Sequence, residues 1–287
     1  MAESARNANR RLENIRSIQP LVEALRTISL AKWRSTLNRI QYLENFQEKL
    51  MDVYREIPKS FEGKNAKKRN NKDRFEWIFL IGSQRGFCGN FNQRLLRKLQ
   101  EELSSKSPEH FRLYVYGNKI MQTLEKSGIP FSPFPIPFQI EQIGRKTVTE
   151  ILDLEHFSRE EHEISMLYNR YKVAGRYETA IETIYPFDES KNPKGDVSFE
   201  NRYIFDTNPF KLNTYLDHEL LIIRMMKSFF SAAASEYSTR FQIMENAVEN
   251  ADELVEDLEI QVLMERRKKI TREMRELAVG AGLLEKK

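Results

Sequence analysis

The chain is predicted to combine an α/β fold with a long α-helical coiled coil. Antiparallel N- and C-terminal helices would carry a Rossmann-like α/β domain inserted between them. Apolar residues recur at steps of three and four at both ends of the sequence. No glycine or proline interrupts the stretch from Pro209 to Gly280, and the middle alternates short apolar runs with helical spacing. Composition agrees: 40% hydrophobic and 31% charged residues suit long helices with much exposed surface better than a thick-cored globule.

The first element, residues 1–58, reads as one helix. Leu12, Ile15, Val22, Leu25 and Ile28 form its apolar stripe, and charges fill the other faces. Pro20 removes one helical hydrogen bond, at roughly 3 kcal/mol. The stripe continues beyond it, so a kink is expected there rather than a break. Residues 59–74 are a basic connector, with Lys59, Lys64, Lys67, Lys68 and Lys72 around Gly63. Such a run reads as a solvated loop rather than a nucleic-acid site.

Residues 75–208 form the α/β domain. Phe75 to Ile81 is an apolar run suited to a buried strand, Asn92 to Leu103 has helical spacing, and Phe111 to Tyr116 is a second strand. Lys119 to Lys126 makes a short helix ended by Gly128. Pro130, Pro133, Pro135 and Pro137 follow, then a helix to about Phe157 and strands near Ile164 to Tyr171 and Ala180 to Tyr185. The βαβαβ-like order predicts a mainly parallel sheet. Residues 209–287 form the last helix. About 65 residues at 1.5 Å each make a rod on the order of 100 Å, and the other long striped segment is its natural partner.

Charge and composition exclude several functions. A net charge of +4, from 46 basic and 42 acidic residues, gives no concentrated basic face for nucleic acid. Cys88 is the only cysteine, which rules out an internal disulfide or a Cys-based zinc site and fits a reducing compartment. His110, His156, His162 and His218 show no metal spacing. No apolar run reaches the ~18 residues that span a bilayer. The N-terminus has no signal core, and Glu3 and Glu13 oppose a transit peptide.

The segment that looks catalytic is Gly82-Ser-Gln-Arg-Gly86-Phe-Cys-Gly89-Asn, between a strand and a helix, where helix N-terminal amides attract phosphate. Its spacing fits neither known solution. A dinucleotide fingerprint needs glycine where Gln84 stands, and a P-loop needs Gly-Lys-Ser/Thr where Gly89 precedes Asn90 and Phe91. The glycines are therefore read as a tight structural turn (Gly82, Arg85, Gly86, Cys88, Gly89), with Cys88 a buried small residue. No catalytic residue, bound cofactor or metal site is expected on this chain.

Three ordered stretches resemble the gamma subunit of F-type ATP synthases. The first runs from Arg11-Leu12 through Ile15, Gln19, Ala24-Leu25 and Ile28 to Ala31-Lys32-Trp33-Arg34. The second, Phe79 to Asn92, is similar to the family's strand and Asp-Arg-Gly-Leu-Cys-Gly turn. The third comprises Ala234-Ser235-Glu236, Arg240, Met244, Ala247 and Asn250, then Arg266, Ile270-Thr271, Glu273 and Gly280-Ala281. Tyr203 to Asp206 and Pro209 resemble the family's lead into that helix.

The resemblance implies a central-stalk rotor that couples ATP synthesis or hydrolysis to ion translocation by rotation. Its partners would be the alpha and beta subunits of the catalytic head, the epsilon subunit and the membrane c-ring. Mg-ATP and ADP would be bound by partner subunits, and the complex would lie on the cytoplasmic face of a bacterial inner membrane, with this chain peripheral. Arg266, Arg267 and Thr271, with Lys32 and Arg34, would be coupling contacts to the beta subunits; read alone, Arg266 to Lys269 are a solvated cationic patch. The chain departs from the family pattern at Gln84, Arg267, Leu263 and Pro20, as a divergent or sodium-translocating relative would. Two rivals stay open: a nucleotide-binding α/β enzyme with helical oligomerisation ends, and a scaffold coiled coil with no rotary role.

Overall fold

The computed structural model describes residues 2–56, 75–104, 106–154, 157, 162–186 and 208–281. The basic connector 59–74, His156 and the segment Tyr203 to Asp206 lie outside the described residues. The elements in chain order are α1 (Ala2–Glu56), β1 (Phe75–Ile81), α2 (Phe91–Leu103), β2 (Phe111–Tyr116), α3 (Asn118–Ser127), β3 (Ser132–Pro133), α4 (Arg145–Leu154), β4 (His162–Val173), β5 (Arg176–Tyr185) and α5 (Pro209–Gly280). They divide into two compact units, residues 30–240 and residues 1–29 with 241–287.

The larger unit is built on a five-stranded sheet of order β3-β2-β1-β4-β5. β1 is central because its apolar run can be buried on both faces, as parallel sheets require. Trp77, Phe79 and Ile81 face one layer while Ile78 and Leu80 face the other. Phe91, Leu95 and Leu99 of α2 and Ile120 and Leu124 of α3 cover the second face. The first face is covered by Val148, Ile151 and Leu152 of α4, Leu43 of α1, and α5 from Leu221 to Tyr237.

β1 pairs in parallel with β2 and β4, and β2 with β3, as the expected mainly parallel sheet requires. The last strand instead returns antiparallel, β4 against β5. A parallel return needs a crossover of about a dozen residues. Only Ala174 and Gly175 separate these strands, and Gly175 turns the chain at a φ of 64°. The proline-rich passage holds a strand that periodicity did not reveal. Prolines at 133, 135 and 137 keep it extended, and the intervening Phe134, Ile136 and Phe138 pack into the core. Phe134 and Phe138 meet the Phe229 ring at centroid distances of 5.5 and 5.4 Å.

The smaller unit is a pair of helices. Residue numbers rise along α1 as they fall along α5: Arg26 pairs with Glu245, Gln19 with Asp252 and Arg16 with Glu259, so the helices are antiparallel. Ala8, Leu12, Leu258 and Val262 form its apolar cluster. α1 continues unbroken through Pro20, which faces solvent with Arg16, so water can reach the carbonyl that the missing amide releases.

The stripe itself needs correction. Ile28 is 46% exposed and Ser29 is buried in its place, with its hydroxyl donating to the Leu25 carbonyl. The buried and half-buried positions of α1 step by four and three through Ala8, Leu12, Ile15, Gln19, Val22, Arg26 and Ser29. That is a coiled-coil repeat with polar residues in the seam, where Gln19 and Arg26 reach Asp252 and Glu245. On α5 the seam ends near Val262 and Glu265. Ile270, Met274 and Leu277, which sequence periodicity assigns to the stripe, are all exposed.

Candidate functional site

The glycine turn follows β1, where a phosphate site would lie, and its backbone groups are already engaged. A Cβ on Gly82 would stand 2.3 Å from Ile120 Cγ2, so glycine is needed for α3 to approach the sheet. The Gly82 amide donates to the Tyr116 carbonyl at 2.9 Å, and the Ser83 amide to Asn92 Oδ1 at 3.0 Å. The Glu236 side chain of α5 is buried beside this turn. Arg240, one helical turn on, donates to the carbonyls of Gly86 at 3.1 Å and Arg85 at 3.3 Å and pairs with Glu236. A buried carboxylate and its arginine therefore already occupy the inner side of the turn where a phosphate would have to bind. Burial pushes the Glu236 carboxyl up, against the pull of Arg240.

The remaining residues of this turn divide by exposure. Cys88 is buried, and burial pushes its thiol up, away from the reactive thiolate. Arg85 and Phe87 are exposed, and Phe87 takes a φ of 60°, unusual for a side chain of its size. Gln84, which stands where the family resemblance expects an acid, accepts the Asn118 amide at 3.1 Å through its side-chain oxygen. A neutral amide can thus receive one of the free donors at the start of α3.

The five residues named as coupling contacts are not brought together. Lys32 is turned inward in the larger unit: its ammonium donates to Glu141 at 2.5 Å and lies 5.5 Å from the Tyr237 ring centre. Tyr237 donates to the same carboxylate oxygen. Burial alone would raise the Glu141 carboxyl, but hydrogen bonds from Lys32 and Tyr237 hold it below its usual range. Arg34, two residues on, is exposed.

Arg266, Arg267 and Thr271 lie in the smaller unit just past the end of the seam, and all three are exposed. Thr271 is tied back by its hydroxyl to the Arg267 carbonyl at 2.9 Å. Lys268 and Lys269 pair with Glu265 and Glu273, which separates them from the two arginines. Sequence reasoning missed the Glu236–Arg240 clamp because the two residues stand about 150 positions from the turn they hold. A glutamate four residues before an arginine on one helix was the available signal. Among the described residues no group of three or more His, Cys, Asp or Glu side chains could hold a metal ion, and no helix is long and apolar enough to cross a membrane.

Two long antiparallel helices carrying an α/β insertion define a class of stalk subunit, and comparison with known proteins identifies the family. The family described as ATP synthase matches residues 4–284. The ATP synthase gamma chain of Fusobacterium nucleatum is 22% identical over 279 residues, covering 96% of this chain and 97% of that one. That of Rubrobacter xylanophilus is 25% identical over 303 residues, covering 98% of both. Among solved structures, a chain of the Euglena gracilis mitochondrial ATP synthase assembly of OSCP, F1 and c-ring aligns with a TM-score of 0.64 at 18% identity, over 100% of this chain and 98% of that one. A chain of the Tetrahymena thermophila mitochondrial ATP synthase central stalk and c-ring aligns with a TM-score of 0.56 over 79% of this chain.

The chain belongs to the ATP synthase gamma family. It is a central-stalk rotor subunit, a peripheral part of a rotary ATP synthase complex with F-type partners.

Proposed function

We propose that this chain transmits rotation between nucleotide sites at the interfaces of alpha and beta subunits and a membrane c-ring, with an epsilon subunit beside it. The observation that carries the reading is the end of α5. Its seam stops near Glu265, and beyond it Arg266, Arg267 and Thr271 stand exposed among Ile270, Met274 and Leu277. Unpaired guanidinium groups on a stiff helix can form charge-assisted hydrogen bonds with acidic groups of a catalytic subunit. Contacts that change with rotor angle would give three chemically identical sites three different affinities, which is how coupling energy is delivered. Arg34 is a candidate for the same role. Lys32, 38% exposed and paired with Glu141, is another.

Mg-ATP and ADP belong, on this reading, to the partner subunits. The Glu236 and Arg240 side chains on the inner side of the glycine turn support it. The relatives from Fusobacterium and Rubrobacter favour the cytoplasmic face of a bacterial inner membrane as the location. The mild net charge of +4 gives no footprint for nucleic acid.

The test is purification of the chain from its native host at native expression. The reading expects P-loop ATPase subunits in threefold excess over this chain, and no binding of ATP by the isolated chain in calorimetry. Recovery of the chain alone, or ATP bound at the glycine turn, would overturn it.

A further inference from the structure

The larger unit attaches α5 to the sheet through apolar packing from Leu221 to Tyr237 and through two serines: Ser231 accepts the Tyr171 amide at 3.0 Å, and Ser235 donates to the Asn169 carbonyl at 2.8 Å. Apolar attraction has no direction, so it holds a helix against a sheet without fixing the helix about its own axis. Hydrogen bonds to backbone atoms do fix it, because they weaken steeply with angle. Arg240, paired with Glu236, makes such bonds in the last turn of α5 within this unit. Both side chains are at least nine-tenths buried, at 6% and 5% exposed. Arg240 donates to the carbonyls of Arg85 and Gly86, and the buried Glu236 carboxylate pairs with Arg240 and so holds its guanidinium in place. Arg240 also lies 5.9 Å from the centre of the Tyr237 ring.

The loop end of this tie is itself anchored. The Ser83 carbonyl accepts the Lys119 amide at 3.1 Å, and the Ser83 hydroxyl accepts from Asn92 at 2.8 Å. The 83–86 turn is thus held to α2 and α3, and α5 is held to the turn.

We propose that Glu236 and Arg240 are positioning residues for coupling: they latch α5 to the β1–α2 turn so that the α/β domain and the helix turn as one body under load. This rests on the rotor reading and adds a specific site of torque transfer. Neither residue touches nucleotide. Their loss should spare ATP hydrolysis by the assembled complex and reduce the ions moved per ATP, because α5 is then released from the β1–α2 turn and held to the body only by its apolar seat and the Ser231 and Ser235 bonds to β4.

The test uses the assembled complex in sealed vesicles, with ATP hydrolysis and ATP-driven ion uptake measured together. Glu236→Leu combined with Arg240→Met removes both charges and keeps most of the volume, a replacement that buried ion pairs often tolerate. Hydrolysis is expected within twofold of the parent, with ion uptake per ATP reduced at least fivefold. Amide hydrogen exchange at Ser83, whose amide donates to Asn92 within the same turn, should accelerate at least tenfold. If the double variant does not fold, Glu236→Gln, which keeps the shape and removes the charge, is expected to show the same pattern with at least a twofold loss of uptake per ATP. Unchanged uptake per ATP together with accelerated exchange would overturn the latch. Failure of the parent chain to assemble with ATPase subunits would overturn the rotor reading on which it rests.

Discussion

The α/β body and the distal helix pair use apolar residues in opposite ways. In the body, Ile78, Phe79, Leu80 and Ile81 are fully buried, and two helical layers complete the cover from the unit's own residues. In the distal pair a narrow seam from Ala8 to Ser29 is closed by α5 only up to Glu265, and Met274 and Leu277 are then 65% and 70% exposed. The body carries its own stability. The distal helices leave apolar groups exposed beside the exposed Arg266 and Arg267, the surface that the proposed function gives to partner subunits.

The largest test of this contrast is in the body. Phe79→Ala removes a fully buried ring from between Trp77, Tyr114 and Phe134. It should cost about 3–5 kcal/mol in urea denaturation of the isolated chain. A loss below about 1 kcal/mol would mean that the sheet is not where this chain's stability lies.

The matching change in the distal pair should act on coupling instead. Arg266→Ala with Arg267→Ala removes two exposed side chains, so the isolated chain should stay within about 0.5 kcal/mol of the parent. In the assembled complex, coupled ATP synthesis should fall about tenfold, equivalent to about 1.4 kcal/mol. Unchanged synthesis would return these residues to a solvated cationic patch.

The same contrast explains what could be read from the sequence. β1 and β2 were legible to the residue because a continuous apolar run bounded by polar segments has few other solutions. The long helices were legible because nothing breaks them. The seam of α1 was misplaced at Ile28, where Ser29 is buried instead, and Arg26 shares the half-buried face with Leu25; hydrophobicity cannot reveal polar seam residues. The strand at Ser132–Pro133 was hidden by the prolines that hold it extended. The glycine turn was legible as structure, but its clamp was not, since the partners come from α5. Of the residues proposed as coupling contacts, Arg266, Arg267, Thr271 and Arg34 are exposed and Lys32 is paired with Glu141; a lysine in a helix gives no sign of which partner its ammonium meets.

Glu141 offers a smaller test inside the body. Its folded-state value is depressed, so its contribution is present above the unfolded value of about 4.3 and is lost as pH falls through the lower folded value. Its partial exposure screens the ion pair with Lys32, so about 1 kcal/mol is expected. Denaturation midpoints at pH 6 and pH 3 should differ less for Glu141→Gln than for the parent chain. An equal difference in both would show that the Lys32 and Tyr237 bonds stabilise nothing.

The smallest effect belongs to the distal pair's own ion pairs. Arg16 and Glu259 meet across the seam with both side chains about half exposed. Such a pair spends side-chain entropy to hold its geometry and is screened by salt, so Glu259→Gln should cost about 0.5 kcal/mol or less, and nothing measurable in 0.5 M salt. Gln19, half-buried in the seam, donates to the exposed Asp252 at the seam's edge, and such a polar pair can fix register. Asp252→Leu should therefore leave stability nearly unchanged while letting α1 slip against α5, seen as a loss of single-distance populations between spin labels on the two helices. If the labelled distance stays single, the apolar residues set the register by themselves and the polar seam is only tolerated.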